Sequence, residues 1–88
     1  MSERAAAADA AFAIEGFILA MRQARDIVSR SEVSPEVDAL LSRAAELLDV
    51  VDETLLELDF EKHRELFESV PGLRAKLQQL SSDVHSRR

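Results

Sequence analysis

Two apolar seams of matched length constrain the fold of this chain more than any other sequence feature. Their members alternate at spacings of four and three residues, which places each seam on one face of a helix that packs along another helix. The first seam is Ala10, Ile14, Phe17, Met21, Ala24 and Val28, and the second is Val37, Leu41, Ala44, Leu48, Val51, Leu55 and Leu58. Because the connection between them is short, the pattern predicts an antiparallel helical hairpin.

The segment between the two seams carries signals for a helix start. Ser34 is a favourable N-cap, Pro35 suits the first helical position, and Glu36 places a negative charge near the positive end of the helix dipole. We therefore predict a first helix over about residues 2–30 and a second from about 35 to at least 58.

The sequence after residue 58 leaves two arrangements open. Residues 60–69 are helix-prone, and they either extend the second helix or form a separate short helix capped by Asp59. The pair Pro71 and Gly72 predicts a break or sharp kink, followed by a last helix over about residues 73–85. An apolar line keeps its phase across this pair, so both pieces are expected to pack on one surface. Its members are His63, Leu66, Val70, Leu73, Leu77, Leu80 and Val84.

Composition agrees with an all-α fold. The 88 residues are 47% hydrophobic and 32% charged, with only two Gly and two Pro, which favours helix over sheet. We expect a single helical domain over residues 1–88, a long antiparallel helical hairpin plus a shorter C-terminal helix. A chain this short buries a limited share of its surface, so pairing into a dimeric helical bundle is expected to stabilise it.

The first helix carries apolar side chains on a second side. Phe12 and Leu19 point roughly opposite to Phe17, with the small residue Gly16 beside them. The chain's own C-terminal helix covers Phe12 and Leu19, or another chain covers them and Gly16 lets its backbone come close, or they are isolated apolar residues on the surface. We favour the second alternative, which predicts a homodimer.

Charge and cysteine content narrow the classes of partner and compartment. Residues 32–61 hold ten acidic residues and one basic residue, Arg43, which opposes direct binding of nucleic acid. The absence of cysteine fits a reducing compartment. Asp9 and Glu15 interrupt the apolar N-terminal stretch, which predicts neither a signal peptide nor a membrane span. We expect a cytoplasmic protein, and frequent Ala and Arg hint at a bacterial or viral gene.

Four acids of the second helix follow one face at spacings of three, four and four residues: Glu46, Asp49, Glu53 and Glu57. This face lies opposite the apolar seam, so it is either a solvated surface or a docking surface for a basic partner. A metal site is the third reading. The segment ELLDVVDE at 46–53 is faintly similar to an acidic pyrophosphatase motif, but no second acidic cluster accompanies it, and di-iron bundles project their acids inward.

Residues for catalysis are sparse. The chain has no cysteine nucleophile and no Gly-rich phosphate loop, and we assign structural or exposed roles to its two histidines, His63 and His85. The basic C-terminal end lacks aromatic residues that would stack on bases. We therefore predict no enzyme activity, no cofactor, no metal site and no small-molecule substrate.

These observations lead to a noncatalytic protein–protein interaction module as the first hypothesis. It would be a small adaptor, chaperone-like or regulatory subunit that self-associates and presents an apolar helix face to another protein. The alternative is an acidic inhibitor that docks on the basic nucleic-acid-binding groove of a target protein. A metal-dependent nucleotide pyrophosphatase-like bundle is a remote alternative. The predicted partner-binding residues are Phe12, Gly16, Leu19, Glu46, Asp49, Glu53 and Glu57.

Overall fold

The computed structural model describes residues 3–30 and 34–87, and within these ranges the chain forms three helices and no strand. They are α1 (Glu3–Ser29), α2 (Pro35–Leu55) and α3 (Arg64–Ser86). The predicted start at residue 2 and residues 31–33 of the predicted loop lie outside the described residues. α1 and α2 form the antiparallel hairpin, and α3 runs in the same direction as α1. The ends agree with this direction, since Glu3 contacts His63 and Arg87 contacts Val28.

Small residues bring α1 and α2 together. Six alanines are buried, five on α1 and one on α2: Ala6, Ala10, Ala13, Ala20, Ala24 and Ala44. Because an alanine side chain is a single methyl group, the two helix axes can approach closely. The larger seam residues Phe17, Leu48 and Val51 then fill the centre of the hairpin and are almost completely buried.

The third helix packs along one side of this hairpin. Leu73, Leu80 and Val84 join Phe17 and Val28 in the main buried cluster. A smaller cluster near the α2–α3 turn contains Ala6, Ala13, Val51, Leu55, Leu58 and Val70. The apolar line predicted to cross the Pro-Gly pair is therefore the packing face of α3.

Helix α2 begins where the sequence predicts. Ser34 has an extended backbone, with φ −128° and ψ 161°, and Pro35 is the first helical residue. The Ser34 hydroxyl makes no capping hydrogen bond, although its carbonyl accepts a hydrogen bond from the Val37 amide at 3.1 Å. The cap is therefore defined by the backbone, and the acids of the first turn supply the favourable charge.

The prediction that the second helix extends to at least residue 58 is wrong, because α2 ends at Leu55. Beyond that point the amides of Leu56, Glu57 and Leu58 donate to carbonyls three residues earlier, which tightens the last turn. Leu58 nevertheless stays buried. Asp59 then accepts a hydrogen bond from the Glu61 amide at 3.1 Å, a side-chain turn. Residues 56–63 are thus the connection between α2 and α3.

Of the break or sharp kink predicted at Pro71 and Gly72, the break is also wrong. α3 begins at Arg64 rather than near residue 73 and continues through both residues. An internal proline removes a hydrogen bond and costs about 3 kcal/mol. The uninterrupted apolar face of α3 offsets this cost, since Val70 and Leu73 are buried on either side of the exposed pair.

Replacing Pro71 with Ala is expected to stabilise the fold. The substitution restores the amide that the Phe67 carbonyl lacks, and it raises the unfolding free energy by up to about 3 kcal/mol. Gly72→Ala is the companion variant, with an expected gain of about 1 kcal/mol, because a methyl group there meets nothing within 4 Å. Urea denaturation followed by circular dichroism measures both. Destabilisation by both variants would contradict a continuous α3.

A matched pair of leucines tests the position of the core. Leu48 is 2% exposed and Leu56 is 87% exposed. We expect Leu48→Ala to lower the unfolding free energy by about 2–5 kcal/mol, because it leaves a cavity. We expect Leu56→Ala to change it by less than about 0.5 kcal/mol. Equal effects in urea denaturation would show that the hairpin packs on a different seam.

Candidate protein interface

One side of the hairpin exposes large apolar side chains from both helices. Phe12 is 77% exposed and Leu19 is 55% exposed on α1, and Val50 is 42% exposed on α2. Together with Gly16 and Leu47 between them, these residues line one shallow groove, which we call the α1/α2 face. The alternative that the chain's own third helix covers Phe12 and Leu19 is therefore wrong.

The position of α3 explains why this face is open. α3 packs beside the part of α1 that carries Phe17, Met21 and Val28, together with α2. On a helix with 3.6 residues per turn, Phe12 and Leu19 lie more than a quarter turn away from those residues. One helix of this length has only one apolar side to bury, so it covers one flank of the hairpin and leaves the other exposed.

Gly16 has a role inside the chain. A methyl group at this position would lie 3.1 Å from Cδ1 of Leu47, so the glycine lets that leucine pack tightly against α1. Nearby, the Thr54 hydroxyl donates to the Val50 carbonyl at 2.7 Å and is thereby satisfied. Leu47 and Gly16 thus form the floor of the α1/α2 face, and Phe12, Leu19 and Val50 form its raised apolar part.

The α1/α2 face is bordered by acids. Asp9 and Glu15 line the groove on the α1 side. On α2, Glu46 and Glu53 precede and follow Val50 by four and three residues, so they share its surface. Arg43 is the base that lines the groove. The apolar centre therefore lies in a negative electrostatic field.

The acids predicted to form one stripe are exposed on the outer side of the hairpin. Glu46, Asp49 and Glu53 belong to α2, whereas Glu57 lies in the turn that follows it. None of the four makes an ion pair or a side-chain hydrogen bond with the described part of the chain. The same part of the chain holds no group of three or more potential ligands that could bind a metal ion.

Sequence reasoning missed two members of the α1/α2 face, Leu47 and Val50. Leu47 precedes the seam residue Leu48, and its partly buried side chain packs on the core while it also lines the groove. The sequence does carry a signal that Val50 is exposed, because it is adjacent to the seam residue Val51. Two adjacent residues of one helix cannot both face the core. Val51 is fully buried, so Val50 points outward.

A second groove, between α1 and α3, was also missed. Its floor is formed by Phe17, Met21 and Leu73, with Ile18 standing at its edge. Ile18 is 43% exposed. Three bases line the same groove: Arg22, Arg25 and Lys76. We call this the α1/α3 groove, and its charge is opposite to that of the α1/α2 face.

The first residue of α1 is bound to the α2–α3 connection. The Glu3 carboxylate accepts a hydrogen bond from the Asp59 amide at 3.1 Å, and Nε2 of His63 lies 3.2 Å from the same oxygen. The Asp59 amide is the main cause of a lowered pKa for Glu3. Partial desolvation opposes this shift, and Lys62 and His63 add to it. This contact closes one end of the bundle, away from the α1/α2 face.

The lowered pKa of Glu3 gives a testable pH dependence. A depressed carboxyl pKa contributes stability above its ordinary value of 4.5, and this contribution is lost as the pH falls through the folded-state value. We therefore expect the wild type to have a higher Tm than Glu3→Gln at neutral pH, with the difference shrinking as the pH is lowered below 4.5 and lost below the folded-state pKa. Glu68→Gln, on the exposed surface of α3, is the control. A constant difference for Glu3→Gln across this range would contradict the assignment.

In the described ranges no helix has the length and apolar content needed to cross a membrane. The chain was also compared with known families, proteins and structures. No protein-family model, curated protein or solved structure matches it.

Proposed function

We propose that this chain is a noncatalytic interaction module of the cytoplasm that self-associates and presents an apolar helix face to a partner protein. The observation that supports the proposal is the exposure of Phe12, Leu19 and Val50 side by side on the α1/α2 face. Full burial of such a side chain stabilises a complex by about 1.5–3 kcal/mol, before the cost of association.

The grouping of these residues supports a binding role more than their exposure alone. Single exposed apolar side chains are common on soluble proteins, and Leu56 in the α2–α3 connection is an example. Phe12 and Leu19 are two helical turns apart on one line, and Val50 lies across the groove from them. A continuous apolar strip of this kind fits the side of another helix.

The size of the chain also supports association. A domain of this length buries a limited share of the surface that its unfolded chain exposes. Covering the α1/α2 face with a second chain would give that hairpin a layer on each flank. Helical hairpins commonly pair in this way into four-helix arrangements.

The acidic stripe supports a second candidate, an inhibitor that docks on the basic nucleic-acid-binding groove of a target. Glu46, Asp49 and Glu53 on α2 and Glu57 in the following turn are exposed, and no base of the described chain neutralises them. Such a row of carboxylates steers a positively charged partner. In this candidate, binding depends on charge rather than on Phe12 and Leu19.

The proposal predicts that Phe12→Glu combined with Leu19→Glu abolishes association. The two carboxylates would have to be buried unpaired in any complex that uses the α1/α2 face. Leu56→Glu is the matched control, because it adds a charge at an exposed leucine away from that face. Size-exclusion chromatography with light scattering, over a range of concentrations, measures the mass of all three proteins.

We expect the wild type and the control to exceed the mass of one chain as concentration rises, while the double variant stays at that mass. A double variant that associates like the wild type would exclude the α1/α2 face as the interface. Reversal of Glu46, Asp49, Glu53 and Glu57 to Lys tests the second candidate. If only this reversal abolishes capture of a nucleic-acid-binding protein, the inhibitor reading replaces the first.

A further inference from the structure

The two exposed apolar surfaces of α1 carry opposite charges. The α1/α2 face is bordered by four acids against one base: Asp9, Glu15, Glu46 and Glu53, with Arg43. The α1/α3 groove has three bases around Ile18: Arg22, Arg25 and Lys76. Asp83 lies at the far edge of that groove, beyond Lys76. Glu15 and Arg22 lie on α1 between the two surfaces, three residues from Ile18 and Leu19 respectively. Acids still outnumber bases around the α1/α2 face, and bases outnumber acids around the α1/α3 groove.

We infer that the α1/α3 groove of one copy docks on the α1/α2 face of a second copy, so that the chains associate head to tail. The inference rests on the proposed self-association and specifies which surfaces meet. In this arrangement Ile18 packs against Phe12 and Leu19 of the other copy. Arg22 and Arg25 approach the carboxylates that border those residues.

Charge is the reason for this choice over pairing of two identical faces. A two-fold pair through the α1/α2 face brings its four carboxylates close to the same four of the other copy. Like charges brought together at an interface oppose binding, whereas complementary charges favour it. The bases of the α1/α3 groove are opposite in charge to the acids of the α1/α2 face. Both surfaces include α1, so each contact joins one side of α1 in one copy to the other side of α1 in the next copy.

Head-to-tail contact has a consequence for the size of the assembly. In a head-to-tail pair, one copy keeps an unoccupied α1/α2 face and the other keeps an unoccupied α1/α3 groove. Association therefore continues beyond two chains, or it closes into a ring if the rotation between copies allows this. Because opposite charges attract across the contact, increasing salt is expected to weaken it.

Two charge-reversal variants test the inference. The first is Glu46→Lys with Glu53→Lys, and the second is Arg22→Glu with Arg25→Glu. None of these four side chains makes an ion pair or hydrogen bond with the described residues, so the fold is expected to persist, as circular dichroism will show. A control, Glu65→Lys with Glu68→Lys, reverses two exposed acids on α3, away from both surfaces.

Light scattering then decides between the arrangements. We expect each reversal variant alone to associate about tenfold or more weakly than the wild type, since its two surfaces carry charge of the same sign. We expect their equimolar mixture to associate, because opposite charges again meet, and the control to behave like the wild type. Increasing sodium chloride is expected to reduce the mass of wild-type assemblies.

Two results would overturn the inference in distinguishable ways. If Arg22→Glu with Arg25→Glu associates like the wild type, and salt strengthens that association, the α1/α2 face pairs with itself. Head-to-tail docking is then wrong while the proposed self-association remains. If the wild type keeps the mass of one chain at every concentration and salt level, the proposed self-association and the inference both fail.

Discussion

The close packing of α1 against α2 through small side chains determines the rest of the structure. Buried alanines along α1 and Ala44 on α2 keep the two helices near each other, with the bulk of Phe17 and Leu48 at the centre. A narrow hairpin of this kind has two long flanks, and each flank exposes side chains from both helices. The single apolar line of α3 covers one of them. The exposure of Phe12 and Leu19 follows from this difference between two flanks and one covering helix.

The uncovered flank and the covered flank differ in charge as well as in packing. Acids border the α1/α2 face, whereas Arg22, Arg25 and Lys76 line the groove that remains between α1 and α3. Ionic contacts within the described chain are mostly at the ends and along α3, such as Asp52 with Arg74 at 2.7 Å. The charges beside the two apolar surfaces thus form no ion pair within the described chain. In the association proposed above, they would determine orientation more than affinity.

Sequence periodicity predicts the hairpin correctly, because a long apolar seam shows which face of each helix is buried. This holds whatever structure the rest of the chain adopts. Periodicity fails at the α2–α3 connection for two physical reasons. Leu58 keeps its place in the seam although the backbone there has left the helix, and Pro71 stands on the exposed side of α3, where it does not disturb packing. Periodicity also cannot choose the flank that α3 covers, since both flanks of α1 carry apolar residues. That choice decides whether Phe12 is core or surface.

Leu19 is exposed in a single chain, and the proposed association would cover it. Because the chain has no cysteine, a single Leu19→Cys thiol can be labelled selectively, with Met21→Cys as the buried reference. From the exposure of Leu19 and the proposed association, we expect rapid labelling at position 19 in dilute solution, slower labelling as concentration rises, and slow labelling at position 21 throughout. Equal protection of both thiols at every dilution would contradict this expectation, because the chain itself would then cover Leu19.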